Sequence, residues 1–156
     1  MDNKNYIGID AGKSGAWGII ETNGGFVGCG NMPMFDDGTI IARSLWAAIS
    51  GAIGDGVGPS DIVVGIEYVN SHDMGRQTAF VFGRAAGIQN AVLQIIGGKP
   101  IEIRPQEWKK HHGLIGSEKA ASTSLARQKW GAVVKNNGQA EALLIADYLR
   151  FLEEVK

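Results

Sequence analysis

The chain has 156 residues, the usual size of one domain, and we expect residues 1–156 to form a single domain. Its content of 44% hydrophobic and 20% charged residues is typical of a folded globular protein and argues against disorder. The lone cysteine, Cys29, excludes a disulfide framework and a multi-cysteine zinc site. No apolar run reaches about 18 residues and the N-terminus is polar, so we expect no membrane span, no signal peptide and a cytoplasmic location.

The net charge of −1 hides an uneven distribution along the chain. Residues 76–135 contain 10 Lys and Arg against 3 Asp and Glu, whereas residues 1–75 contain 3 against 9. A basic middle segment between acidic ends suits an anionic partner that approaches a carboxylate-lined site. Ordinary solvated helix faces would give the same pattern, so charge alone does not assign a function.

Hydrophobic patterning in the first half of the chain predicts strands joined by short turns. The first three strands are Tyr6–Asp10, Ala16–Glu21 and Phe26–Met32, and short turns between them imply an antiparallel meander. Apolar residues at helical spacing predict a helix over Thr39–Ile53. A buried strand follows at Asp61–Glu67 and, like the first strand, ends in a carboxylate.

The second half of the chain is mostly helical. Long helices are predicted over Gln77–Ile96 and Gly138–Glu154, and Ser117 is a plausible N-cap for a helix that runs to Trp130. A short strand at Pro100–Arg104 precedes a turn or short helix that begins at Pro105. The element order βββαβαβαα predicts one mixed α/β domain.

Four polar side chains stand at positions that the predicted fold would bring together. Asp10 and Glu67 end apolar strands, and Asn137 and Glu141 lie four residues apart on one helix face. Three converging carboxylates disfavour folding without a cation, and oxygen ligands suit Mg²⁺ or Mn²⁺. Two such ions, about 3.5–4 Å apart, activate water and stabilise the leaving oxygen of a phosphodiester. Each residue alone is also explained as a turn, cap or solvated helix residue.

Three segments in this order resemble a known family. Tyr6–Gly15, Val64–Glu67 and Gly138–Ala146 are similar to motifs of the RuvC family of Holliday-junction resolvases, especially its bacteriophage branch. The resemblance extends over most of the chain. It implies a ribonuclease H-like α/β fold, with a mixed five-stranded sheet of three antiparallel strands and parallel additions, flanked by helices. It also implies a homodimer and Mg²⁺- or Mn²⁺-dependent paired nicking of four-way DNA junctions.

The resemblance also assigns roles to individual residues. Asp10, Glu67 and Glu141 match the family's acidic metal-binding and catalytic positions, and Asn137 matches the remaining one. Lys109 and Lys119 resemble the family's basic residues near the scissile phosphate, and Lys119 is the catalytic candidate of the two. The loop from Asn70 to Gln77 resembles the segment that reaches the junction centre. The candidate DNA-contacting residues are Lys13, Asn70, Arg76, Gln77, Arg84, Lys109, Lys110 and Lys119.

One departure from the family pattern bears on activity. The phage branch usually has Asp-Gly where this chain has Asn137-Gly138. Asparagine has nearly the same shape as aspartate, but it is neutral and its amide nitrogen does not coordinate a hard cation. Asp147 cannot substitute, because it lies six residues beyond Glu141 and points about 120° away. We therefore expect weakened metal binding, in an inactivated variant or a naturally weak enzyme.

Two other functions fit parts of the sequence. A nucleotide-binding domain of the actin-like ATPase or sugar-kinase class shares the strand–Asp–Gly opening, but that class normally needs two such domains. A branched-DNA-binding module without catalysis would explain Asn137.

Several other side chains have a structural explanation beside a functional one. Trp17, Trp46, Trp108 and Trp130 are expected to pack in the core or an interface. Gly83 and Gly87, one helical turn apart, suit close packing against a neighbour. Phe80 and Phe82 lie on opposite helix faces, so at least one should face solvent, a partner or DNA. The pair His111-His112 would bind phosphate or move a proton, or be an unremarkable exposed pair.

Overall fold

The structure, a computed structural model, describes residues 3–12, 14–68, 70, 72 and 74–156. Its five strands are β1 (Asn5–Asp10), β2 (Ala16–Glu21), β3 (Phe26–Asn31), β4 (Ile62–Glu67) and β5 (Ile101–Ile103). They form one sheet in the order β3-β2-β1-β4-β5. The first three strands are antiparallel, while β4 and β5 add in parallel. The predicted mixed sheet is confirmed; Lys13, a predicted DNA contact, lies outside the described residues.

Helices cover both faces of the sheet. They are α1 (Ala42–Ile53), α2 (Arg76–Gly97), α3 (Pro105–His111), α4 (Lys119–Trp130) and α5 (Asn137–Glu154). Alternate side chains of a strand point to opposite faces, and β1 is buried on both of them. Ile7 and Ile9 therefore join a core with α1 and α2, whereas Tyr6 joins a second core with α4 and α5.

Two glycines let α5 lie directly on the sheet. Gly8 and Gly18 are paired across β1 and β2. A Cβ atom at Gly8 would lie 2.2 Å from the Ala142 carbonyl oxygen, and one at Gly18 would lie 2.7 Å from the Leu143 nitrogen. The α5 backbone thus takes the space that larger side chains would fill. This packing fixes the first turn of α5 beside the end of β1.

Two local expectations were wrong. Helix α1 begins at Ala42, because Ile40 instead forms an isolated β-bridge with Met34. Glu118 is the N-cap of α4, while the backbone N–H of Ser117 donates to Leu114 in the preceding turn. Trp46 is 46% exposed on α1, so it lies outside the core, and its packing in an interface stays a prediction.

Helix α2 is long and unusually exposed. Within its 22 residues the buried side chains are Ala85, Gln89, Val92, Leu93 and Ile96. An 18-residue window has mean hydropathy 1.3, enough by length and composition alone to cross a membrane. Core helices of soluble proteins pass the same test, so this weak indication does not assign a membrane role. The outward side of α2 remains uncovered within the described chain.

Candidate metal and nucleic-acid site

The four predicted polar residues meet at one edge of the sheet. Strands β1 and β4 are parallel with Ile9 opposite Ile66, so Asp10 and Glu67 follow at neighbouring strand ends. The first turns of α5 carry Asn137 and Glu141. Asp10, Asn137 and Glu141 line a cleft of about 620 Å³, and Glu67 lines a groove on the α2 side.

Gly138 allows the close approach of α5 to this strand end. A Cβ atom there would lie 3.4 Å from Asp10 Oδ2 and 3.2 Å from the Ser14 carbonyl oxygen. The small residue after Asn137 therefore has a steric role at the cleft. An added Cβ atom would be tight against the turn after β1 and in van der Waals contact with the Asp10 carboxylate.

Burial and mutual repulsion dominate the electrostatics of the acidic cluster. Burial, followed by the charges of Glu67 and Glu141, raises the pKa of Asp10 to about 8, although Lys109 and Lys119 oppose the shift. Burial also raises the pKa of Glu67, with a further contribution from Glu141. The acidic cluster therefore carries negative charge that the nearby lysines do not balance, and a bound cation would stabilise the ionised carboxylates.

The donor atoms in and beside the cleft are of the kind that a hard divalent cation takes, with Glu67 in the neighbouring groove. Among the described residues these carboxylates do not form a ready cation-sized cluster, so a bound ion would have to draw them together. Asp10, Glu67 and Glu141 supply carboxylate oxygens, the ligand type that Mg²⁺ and Mn²⁺ take. Asn137 is the weakest member, because its side chain is neutral and has one oxygen, which also accepts a hydrogen bond from Thr123 Oγ1 at 3.3 Å. The amide offers a nitrogen as its other terminal atom, which is no ligand for such an ion.

Trp108 orients one of the carboxylates. Its fully buried indole Nε1 donates to Glu67 Oε1 at 3.0 Å, which leaves Oε2 to bind a cation. From the sequence, this tryptophan was expected only to pack in the core or an interface. A buried indole N–H needs an acceptor, but only the fold brings a residue 41 positions away close enough to accept.

Two basic residues lie close enough to act on the acidic cluster. Lys119, the first residue of α4, lines the cleft and lowers the pKa of Asp10. Lys109 lies over the Trp108 ring, 5.2 Å from its centroid, and lowers the pKa of both Asp10 and Glu67. Both lysines are therefore placed to meet an anion that enters the cleft.

The other candidate DNA contacts are dispersed. Asn70 lines a separate groove that also includes Arg104. Arg76 and Gln77 are exposed in the first turn of α2, and Lys110 is exposed on α3. Arg84 donates to Thr39 Oγ1 at 3.1 Å. The structure therefore brings Lys109 and Lys119 to the acidic cluster and places these residues elsewhere on the surface.

The histidine pair belongs to a different part of the molecule. Potential ligand atoms of His111, His112 and Asp147 lie within 4.8 Å of one another. However, Lys129 and Arg150 already pair with the two carboxylate oxygens of Asp147. Burial lowers the pKa of both histidines. A divalent cation would meet two fixed positive charges here, so we assign the cluster a structural role.

The comparisons with known proteins bear on the fold. No protein-family model and no curated protein matches the chain. Among solved structures, T. thermophilus RuvC in complex with Holliday junction substrate is similar, with a TM-score of 0.72. The match has 15% sequence identity and covers 97% of this chain and 96% of that chain. The chain therefore has the RuvC-like, ribonuclease H-like fold that its motifs led us to expect.

Proposed function

We propose that the chain is a structure-specific endonuclease that binds four-way DNA junctions and nicks them by metal-dependent phosphodiester hydrolysis, weakened here by Asn137. The observation that supports this most is the convergence of Asp10, Glu67 and Glu141 at one sheet edge. The chain matches junction-bound RuvC over 97% of its length. As the motif resemblance suggests, the enzyme would be of the bacteriophage kind and act in the cytoplasm of a bacterial host.

Each side chain has a defined task in this proposal. Asp10 and Glu67 would hold Mg²⁺ or Mn²⁺ from two adjacent strands, and Glu141 would hold it from α5. When bound, the metal supplies water activation and stabilises the leaving oxygen. Trp108 fixes the orientation of Glu67 through its N–H. Lys119 attracts the scissile phosphate into the cleft, where it opposes the negative charge of the carboxylates.

Asn137 weakens the hydrolysis step and spares DNA binding. An aspartate at this position would offer one oxygen to Thr123 and a second to the cation. The asparagine has one oxygen, which Thr123 already engages. Junction affinity depends mainly on basic residues, because phosphate contacts dominate nucleic-acid binding.

The decisive experiment compares the chain as written with its Asn137→Asp form. Both proteins are incubated with a synthetic four-way junction and with linear duplex of equal length, in Mg²⁺ or Mn²⁺. We expect both proteins to prefer the junction, and Asn137→Asp to nick it symmetrically at least about 100-fold faster. Adding Asp10→Asn to the Asn137→Asp form should abolish nicking.

The alternatives predict different outcomes of this experiment. If the Asn137→Asp form binds junctions but never nicks them, the chain is a branched-DNA-binding module without catalysis. Equal affinity for junction and duplex across a salt series would contradict structure-specific binding altogether. Specific retention on an ATP resin, without junction binding, would favour the nucleotide-binding class.

We also propose that the protein is a homodimer through the outward side of α2. We call this side the α2 outer face, comprising Phe80, Gly83, Gly87, Ala91 and Ile95. Phe80 is 72% exposed and Ile95 is 71% exposed. A Cβ atom at Gly83 or Gly87 would meet nothing within 4 Å, so a second helix has room to approach. A two-fold dimer would present two clefts to the two symmetric strands of a junction.

A further inference from the structure

Asn31, at the end of β3, occupies the wall of the cleft that holds Asp10 and Glu141. The side chain is exposed, and no role follows for it from the acidic cluster or from the motifs. Two amide side chains, Asn136 and Gln139, contact it from α5 and its N-cap. Their hydrogen bonds determine which way the Asn31 amide is turned.

Gln139 has a fixed orientation. It is only 7% exposed, and its Oε1 accepts from the backbone N–H of Lys135 at 2.9 Å and from Cys29 Sγ at 3.6 Å. A backbone N–H can only donate, so the atom beside it must be the oxygen. The opposite atom, Nε2, therefore donates to Asn31 Oδ1, at 3.0 Å.

Asn136 is fixed by the same logic. It is the N-cap of α5, and its Oδ1 accepts from the backbone N–H of Gln139 at 3.0 Å. Its Nδ2 therefore donates to Asn31 Oδ1, at 2.7 Å. Two anchored donors thus converge on the oxygen of Asn31.

The consequence is a pre-oriented donor at the cleft. With its oxygen held by two N–H groups, Asn31 has its Nδ2 left over, and this group makes no hydrogen bond with any described residue. A donor whose orientation is fixed before binding loses little conformational entropy when it meets an acceptor. Asn31 shares the cleft with Asp10 and Glu141, so a ligand that enters the cleft would meet this free donor.

We propose that Asn31 is a substrate-binding residue whose Nδ2 donates to an oxygen of the DNA strand lying in the cleft. This inference rests on the proposed function, which supplies DNA as the occupant. The acceptor is a non-bridging phosphate oxygen or a base carbonyl, since both present the same lone pairs. A phosphate contact positions the strand, whereas a base contact adds sequence preference.

Asn31→Asp separates the donor from the structural role of the side chain. One carboxylate oxygen still accepts from Asn136 and Gln139, while the other places a negative acceptor where the donor was. Asn23→Asp is the matched control, because it makes the same charge change in the β2–β3 turn, where Asn23 Oδ1 accepts from Gly25 N. Thermal midpoints of both variants, compared with the parent, establish that the fold is retained.

Junction affinity is measured for the parent and both variants at one fixed salt concentration. We expect Asn31→Asp to weaken binding by about tenfold or more, and Asn23→Asp to change it by less than about threefold. Equal effects of the two variants would overturn the proposal and leave the proposed function standing. A parent that binds no junction would overturn the proposed function and this inference together.

Two further arms identify the acceptor. In the first, one phosphate at a time near the cleaved position is replaced by an uncharged methylphosphonate. At the contacted phosphate the parent should lose affinity. The Asn31→Asp variant should not, because the uncharged group no longer repels the new carboxylate.

In the second arm, base pairs at the cleaved position are exchanged in the Asn137→Asp form. If Asn31 contacts a base, adding Asn31→Asp should change the preferred sequence of nicking. Identical responses of parent and variant in both arms would overturn the proposal.

Discussion

At the scale of single residues, the Glu67 carboxylate depends on the indole N–H of Trp108. We expect Trp108→Phe in the Asn137→Asp form to slow nicking by about 10–100-fold and to raise the metal concentration required, as for other residues that orient metal ligands. The reason is that Glu67 loses the donor that fixes Oε1. Nicking rates over a Mg²⁺ or Mn²⁺ series measure both effects.

A second tryptophan provides the control for this prediction. Trp130 Nε1 donates to the Gly24 carbonyl oxygen at 3.0 Å, away from the acidic cluster. Trp130→Phe removes the same kind of hydrogen bond, so it should lower stability by about 1 kcal/mol without changing the metal dependence. If both variants shift the metal dependence equally, Trp108 acts only through general stability.

Asp10 makes the metal-free protein sensitive to alkaline pH. Its pKa is raised to about 8 in the folded chain, so the folded state binds more protons than the unfolded state between about pH 4 and pH 8. The contribution of Asp10 to stability is therefore present at low pH and is lost as pH rises toward 8. Metal ions would compensate for the ionised carboxylate.

We therefore expect Asp10→Asn to stabilise the metal-free protein at pH 9 and to do so much less at pH 5. A gain of at least about 1 kcal/mol corresponds to a rise in Tm of roughly 2–4 °C. Thermal unfolding in EDTA at the two pH values measures the difference between variant and parent. A difference that is independent of pH would contradict the raised pKa of Asp10.

How well the site could be predicted differs from residue to residue. Asp10 and Glu67 end apolar strands, and Glu141 follows Asn137 at helical spacing, so local patterns were enough to nominate them, and their metal-binding role stays a prediction. Trp108 and Asn31 act through partners 41 and 105 positions away. No local sequence pattern carries that information, because only the tertiary fold determines which distant donor or acceptor each side chain meets.

At the scale of elements, the contact of α5 with β1 depends on Gly8. A Cβ atom there would lie 2.2 Å from the Ala142 carbonyl oxygen and 2.6 Å from the Ala146 nitrogen. Both are backbone atoms in the middle of α5, so the helix must move as a body. We expect Gly8→Ala to lower the free energy of unfolding by about 3 kcal/mol or more, measured by denaturant unfolding.

Gly51 is the matched control for this substitution. It lies exposed on α1, where an added Cβ atom would meet nothing within 4 Å. Gly51→Ala should raise stability by roughly 0.5–1 kcal/mol, because alanine is the better helix former. Similar effects of the two substitutions would contradict the close contact between α5 and the sheet.

Sequence patterns located strands β1 to β5 and helices α1, α2, α4 and α5, but they left α3 as a turn or short helix. Two boundary errors came from contacts with neighbouring segments. Residues 39–41 have helical spacing, yet Ile40 pairs with Met34 in a β-bridge, and α1 starts after it. The backbone of Ser117 closes the turn after α3 and does not cap α4. In both places a local preference lost to a contact with a neighbouring segment.

At the scale of the whole molecule, the chain as described leaves one large helix surface uncovered. The α2 outer face combines exposed Phe80 and Ile95 with two glycines that have open space above them. Exposed apolar side chains along one helix face are the kind of surface on which a partner docks. A second copy of the chain would cover it and would pair two clefts, which paired nicking of a four-way junction requires.

Gly87→Gln tests this arrangement without harming the isolated chain. A Cβ atom added at Gly87 meets nothing within 4 Å in its own subunit, and glutamine forms helix better than glycine, so the subunit itself should become slightly more stable. In a dimer the same side chain would separate the two helices.

We expect the parent to be a dimer by light scattering and the Gly87→Gln variant to be mainly monomeric. The control variant Gly51→Gln on α1 should leave the dimer intact. In the Asn137→Asp form, Gly87→Gln should also turn paired nicking into single, uncoordinated nicks. A monomeric parent, or a Gly87→Gln variant that dimerises like the parent, would place the interface elsewhere or remove it.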